Sequence, residues 1–175
     1  MTVAKTLLPS AAALLALGIG AGAVVAQEEP IPAGTWHFVP EESEDIGPAV
    51  NEAVSHLNFL IRRVARNRLA GANEPIDRIV VDYPGDDVYI LFRSDEPPTI
   101  SPRTGEFVPY TRPDGEVVRV KTELGDGVIT QFFDSDDGQK RHVLRLRPDG
   151  KMDFEVTVYS ERLREPFTYT WVFRR

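Results

Sequence analysis

Three histidines, His37, His56 and His142, are the first residues to weigh for chemistry. None has a second metal-binding side chain at a spacing such as His-x-His, and the chain holds no cysteine, so no metal centre is expected. Asp134-Ser135-Asp136-Asp137-Gly138 has the acidic look of a calcium loop. An EF-hand needs glycine at its sixth position and a carboxylate at its twelfth. Here glycine stands fifth and the twelfth residue is Arg145, so a hairpin turn is the better reading. There is no Gly-x-Ser-x-Gly elbow, no phosphate-cradling loop and no thiol nucleophile. The carboxylates fall mostly at turns and on polar strand faces, where solvation accounts for them. What remains is apolar: rows of aromatic residues that either fill a core or line a concave site for an apolar molecule. Trp36, Phe38, Phe132, Tyr169 and Trp171, with Leu57 and Ile61 from a helix above them, are the candidate lining residues.

These residues need elements to position them. Gly34 to Val39 reads as a strand with Trp36 and Phe38 on one face, ended by Pro40. From about Asp45 to Ala70, apolar residues recur at Ile46, Val50, Ala53, Val54, Leu57, Leu60, Ile61, Val64 and Ala65, the spacing of one buried helical stripe. Glu44 and Asp45 suit the positive end of that helix, and Pro48 its first turn. Arg62, Arg63, Arg66 and Arg68 suit its negative end, and Gly71 its C-cap. One long helix is therefore expected over residues 45–70.

Beyond Ile76 the period changes from helical to alternating. Gly115, Gly127, Gly138 and Gly150 follow one another at intervals of 12, 11 and 12 residues, each at an Asp-Gly corner. Between corners, Val118, Val120 and Thr122 oppose Arg119, Lys121 and Glu123, and Met152, Phe154, Val156 and Val158 oppose Asp153, Glu155 and Thr157. Phe167, Tyr169, Trp171 and Phe173 share one face of a last strand. This is an antiparallel meander with one dry face. The segment 95–111 holds Pro97, Pro98, Pro102 and Pro109, so an irregular edge is expected there, with short strands at Thr99–Ile100 and Glu106–Tyr110. The fold class is mainly β: an up-and-down sheet of seven to nine strands after the helix, curled or closed into a barrel because closure removes edges.

The first residues carry a different kind of signal. Lys5 is followed by an uncharged stretch from Thr6 to Gln27, rich in leucine, alanine and glycine and ending in Val24-Val25-Ala26. That is the order of a secretory signal peptide over residues 1–26, with one domain over 27–175. An uncleaved anchor is the rival, but Pro9, Gly18, Gly20 and Gly22 make the stretch a poor membrane helix. Without cysteine, neither a disulfide framework nor a lipid-modified N-terminus is available. Cleavage would leave 149 of the 175 residues, enough for one core, in a periplasmic or secreted setting without a stable membrane anchor. Losing Lys5 would move the net charge from −7 to −8, which disfavours nucleic acid as a partner.

Gly34-Thr35-Trp36 at the start of the first strand resembles the Gly-x-Trp opening of lipocalins and their calycin relatives. The longer run Gly34 to Glu42, followed by helix and meander, is similar to the opening of intracellular fatty-acid-binding proteins. The resemblance covers about ten residues. It implies a barrel with Trp36 packed at its floor beneath a C-terminal arginine, Arg174 or Arg175. It also implies two short helices where the periodicity indicates one. The Arg-x-Tyr pair with which that family grips a ligand carboxylate has no counterpart in Thr170-Trp171-Val172-Phe173-Arg174.

The expected function is thus an exported, non-catalytic binding protein for a small apolar or lipid-like molecule, needing no cofactor. The alternative is an interaction module for an envelope protein, with a filled core and the arginine cluster and the proline-rich segment 95–113 on its surface.

Overall fold

The computed structural model describes residues 29–136 and 138–175. The expected signal peptide lies outside them. The described residues form β1 (Gly34–Phe38), a short 3-10 turn at Pro40–Glu42, two helices and nine further strands. The helices are α1 (Ile46–Ala53) and α2 (Phe59–Gly71). The strands are β2 (Arg78–Asp82), β3 (Asp87–Leu91), β4 (Thr99–Pro102), β5 (Val108–Thr111), β6 (Val117–Gly125), β7 (Val128–Ser135), β8 (Gly138–Leu146), β9 (Met152–Tyr159) and β10 (Phe167–Arg174). All ten strands belong to one antiparallel sheet in the order β4-β3-β2-β1-β10-β9-β8-β7-β6-β5. It curls into a nearly closed barrel, as the alternation and the evenly spaced corners predict.

The meander follows from local chemistry. Gly127 and Gly150 hold positive φ values of 64° and 80° at their corners, a region L side chains avoid. With those turns set, the alternation decides which face is dry. Val118, Val120 and Thr122 of β6, Ile129 and Gln131 of β7, His142 and Leu144 of β8, and Met152, Phe154 and Val156 of β9 are all buried. Phe167, Tyr169, Trp171 and Phe173 complete the interior from β10. The proline-rich segment supplies the two edges, β4 and β5, with Pro102 ending one and Pro109 lying in the other. An edge strand tolerates a residue that cannot donate to a ladder.

No backbone ladder joins β4 to β5, so the barrel has one seam. Side chains close it. Ser101 of β4 and Thr122 of β6 share a hydrogen bond of 2.5 Å between hydroxyls. The Gln131 amide donates to Thr99 and to Thr122, at 3.0 and 3.1 Å.

The single helix expected over 45–70 is two helices. The chain leaves helical geometry at Val54, and Asn58 turns extended (φ −64°, ψ 155°) to cap α2, its side chain accepting from the Ile61 amide at 3.1 Å. Arg62 pins the break, donating to the carbonyls of Ser55 (2.6 Å) and Leu57 (2.7 Å), rather than serving the far end of a long helix. The apolar stripe splits with the helix. Val50 and Val54 are buried, Val50 in the core cluster of the barrel, whereas α2 buries none of its residues and leaves Phe59, Leu60, Ile61 and Val64 exposed. Periodicity carries a stripe across a break only if the axis continues, and here it does not. Asp45 caps α1 as expected, accepting from the Gly47 amide at 2.9 Å. Among the described residues no helix is long and apolar enough to cross a membrane.

Candidate ligand site in the barrel interior

The floor of the barrel is built by β1 and the chain terminus. Trp36 is buried, and its indole nitrogen donates to the Pro32 carbonyl at 3.4 Å. The Arg175 guanidinium sits 5.9 Å from the indole centroid and donates to the Ala33 carbonyl at 3.1 Å. Gly34 makes this approach possible. Its φ is +142°, and a Cβ there would stand 3.2 Å from the Arg175 guanidinium. The residues of the Gly-x-Trp opening therefore act together, and of the two candidate arginines Arg175 is the one over the tryptophan.

Above the floor the interior is laid in rows set by strand register. One row runs Ile129, Leu144, Phe154, Trp171. The next runs Thr122, Gln131, His142, Val156, Tyr169, and the one beyond it Phe133, Lys140, Val158, Phe167. The first row is aromatic and aliphatic throughout: Phe154 meets Trp171 at 6.3 Å and Phe173 at 6.1 Å between centroids. Tyr169 stacks obliquely on Trp171 at 4.6 Å and donates its hydroxyl to Asn73, just beyond α2, at 3.2 Å. Burial pushes the Tyr169 hydroxyl well up from its ordinary value, so it remains a donor.

The sequence-derived lining residues divide accordingly. Trp36, Tyr169 and Trp171 are inside, and Phe38 lies half-buried beside them, edge-on to Trp171 at 5.8 Å. Phe132 points outward. It is paired across the ladders with Lys121 and Arg141, and the Lys121 ammonium sits 4.6 Å from its ring centroid. Its neighbour Phe133 takes the inward position. Strict alternation from Ile129 leads to Phe133, but only if Gln131 is accepted inside, and a glutamine is an improbable core residue by type. Leu57 is half-buried in the break between helices, and Ile61 is 54% exposed on α2, so neither stands over the aromatic rows.

The row Thr122, Gln131, His142 is the part that sequence reasoning missed as a site. Thr122 and Gln131 are fully buried. Thr99 spends its hydroxyl proton on the Ile90 carbonyl at 3.1 Å and so accepts from Gln131. With both amide hydrogens directed to Thr99 and Thr122, the Gln131 Oε1 has no protein partner. His142 is caged by Phe92 (4.8 Å), Phe133 (4.8 Å) and Phe154 (5.0 Å), and neither of its ring nitrogens has a protein partner. Burial, with the Lys140 charge a second cause, holds its pKa well below the ordinary 6.5, so the ring is neutral. Lys140, the next inward residue of β8, is itself lowered to about 8 by burial and donates to the Ala72 carbonyl at 3.5 Å. The other histidines, His37 and His56, are exposed. Among the described residues no three His, Asp or Glu side chains stand where they could hold a metal ion.

Solved structures share this architecture. The chain superposes on a REP1-NXSQ fatty acid transporter with a TM-score of 0.51 and 17% identity, covering 82% of this chain and 94% of that one. It superposes on the apo lipid binding protein 8 of Caenorhabditis elegans with a TM-score of 0.52 and 15% identity, covering 82% and 94%. The fold is calycin-like. No family model matches the sequence, and no curated protein matches it by sequence. At such identities the likeness speaks for the fold alone.

Clefts of about 230 and 380 Å³ open on the described surface, and Phe133 and Lys140 of the third inward row are among the residues lining the smaller. The smaller is lined by Phe107, Phe132, Arg141 and Tyr159 among others, the larger by residues around Ser160 to Pro166. Inside, opposite walls meet: Ile79, Val81, Val88 and Ile90 of β2 and β3 join Leu144, Phe154 and Trp171 in one core cluster.

Proposed function

We propose that this protein is an exported, non-catalytic carrier that takes up a small apolar or lipid-like molecule between the walls of its barrel. The observation that carries the reading is the interior itself. Its inward faces are aromatic and aliphatic, as a site for apolar ligands requires, yet one row carries polar atoms that the protein leaves unpaired. The two similar structures, a fatty acid transporter and a lipid binding protein, support the same ligand class. Entry needs the walls to part, and the seam between β4 and β5 is where they part most readily. It is held by the hydroxyl and amide contacts of Ser101, Thr122, Thr99 and Gln131 rather than by a backbone ladder. Such contacts exchange with water at small net cost.

The test is a melting experiment on delipidated protein with fatty acids, phospholipids and quinones. A ligand-dependent rise in melting temperature is expected, because binding to the native state alone stabilises it. No rise with any of the three classes would sink the reading. Export is tested separately, by N-terminal sequencing of the mature protein. A start near Gln27 in the periplasmic or secreted fraction is expected, and a start at Met1 in the membrane fraction would overturn it.

A second role, as a module for an envelope protein, is favoured by one observation. The helix α2 presents Phe59, Leu60, Ile61 and Val64 to solvent beside exposed Arg63 and Arg66. Recovery of a partner from envelope extract that is lost when Arg63 and Arg66 are changed to Glu would support it; unaltered recovery counts against it.

A further inference from the structure

The unpaired atoms of the polar row carry more than the existence of a ligand; they describe its head. Gln131 is not free to rotate its amide, because the Thr99 hydroxyl is committed to the Ile90 carbonyl and must accept from nitrogen. The Gln131 Oε1 is therefore an acceptor in search of a donor. The neutral His142 ring always presents one N–H and one lone pair, and both lack a protein partner. Gln131 and His142 face each other across the β7–β8 ladder, on the inward side of both strands. Together they offer acceptor, donor and acceptor within one layer. The walls of that layer are Phe92, Phe133 and Phe154, which offer no charge. The cation of the next row, Lys140, is directed to the Ala72 carbonyl at the α2 end of the barrel.

We infer that Gln131 and His142 form the head-group subsite for the apolar ligand, and that the head is an uncharged group able both to donate and to accept a hydrogen bond, an alcohol above all, rather than a carboxylate. This deepens the proposed carrier function and rests on it. A hydroxyl would donate to Gln131 Oε1 and accept from the imidazole N–H, pairing two of the three unpartnered atoms at once. A carboxylate could accept from His142 but would place its charge against Gln131 Oε1 in an aromatic cage, where an unpaired charge is strongly disfavoured.

The experiment compares dodecanol, dodecanoate and dodecane as ligands of the full mature protein at neutral pH, read by calorimetry or displacement of a fluorescent apolar dye. Dodecanol is expected to bind roughly tenfold or more tighter than either of the others, the discrimination expected when one site builds hydrogen bonds to a hydroxyl. In His142→Phe and Gln131→Leu, the advantage of dodecanol over dodecane is expected to vanish while dodecane still binds. The dodecane signal shows that each variant is folded and competent. Nitrogen NMR of the imidazole should also show His142 settling into one tautomer when dodecanol is added. Equal binding of dodecanol and dodecane by the wild type would overturn the subsite while leaving the carrier reading intact. So would an alcohol preference that survives both variants. Tightest binding of dodecanoate, lost in Lys140→Met but not in His142→Phe, would move the head group to Lys140. Failure of all three ligands to bind would instead overturn the carrier reading beneath it.

Discussion

Acidification should weaken this protein through His142, and the size of the effect follows from where that residue sits. His142 is buried in an aromatic cage with no protein partner for either nitrogen, and its pKa lies well below the ordinary 6.5. In the unfolded chain the ring titrates near 6.5, so below that pH the unfolded state binds a proton that the folded state refuses. Stability is therefore retained above 6.5 and lost as pH falls, until the folded-state value is reached. For one such site, lowering the pH from about 7 to about 5 costs roughly 2 kcal/mol. That corresponds to about 4–8 °C in melting temperature for a domain of this size. Carboxylates also titrate toward pH 5, so the comparison must be with His142→Phe, which preserves the aromatic packing and removes the proton site. Urea denaturation of both proteins at the two pH values gives the difference directly. At neutral pH the variant should be the more stable one by about 1–3 kcal/mol, because an unpaired buried polar group has been removed. On acidification the wild type should lose roughly 2 kcal/mol more than the variant. Parallel losses would refute the reasoning and mean that the imidazole is already hydrogen-bonded or hydrated in the folded state.

Three further outcomes are expected. Changing Ser101 and Thr122 both to Cys places two thiols where hydroxyls now stand 2.5 Å apart, in a chain with no other cysteine, so oxidation should bridge β4 to β6 across the seam. Ligand uptake should slow or stop in the oxidised protein and return on reduction; uptake indifferent to the bridge would place the entry elsewhere. Phe154→Ala should cost about 3–5 kcal/mol in urea denaturation as a buried core truncation, whereas Phe132→Ala, on the outer face beside Lys121, should cost about 1 kcal/mol. Equal costs would mean that β7 runs in the opposite register. Gly34→Ala forces a side chain into φ +142° and toward Arg175, and should lower stability by about 1–3 kcal/mol, read by thermal melting; a neutral substitution would contradict the geometry of the floor.

The sequence determined the barrel because its signals are local and repeated. Asp-Gly corners at even spacing and strict alternation state both the hairpins and their dry faces, and neither depends on distant residues. The opening Gly34-Thr35-Trp36 was legible for the same reason, although the choice between Arg174 and Arg175 was not. That choice depends on how the last strand meets the first, through the pairs His37–Arg174 and Phe38–Phe173. The break between α1 and α2 was written at Asn58, but the apolar stripe ran across it and masked the cap. Only packing decided that Val54 goes inward and Ile61 does not. The polar row was hidden most deeply. A glutamine and a histidine in alternating strands look like surface residues by type, and nothing local says that Gln131 meets Thr99, 32 positions away, across a seam between edge strands. Tertiary structure decided that because burial of a polar group is set by what surrounds it, and the surroundings come from four different strands.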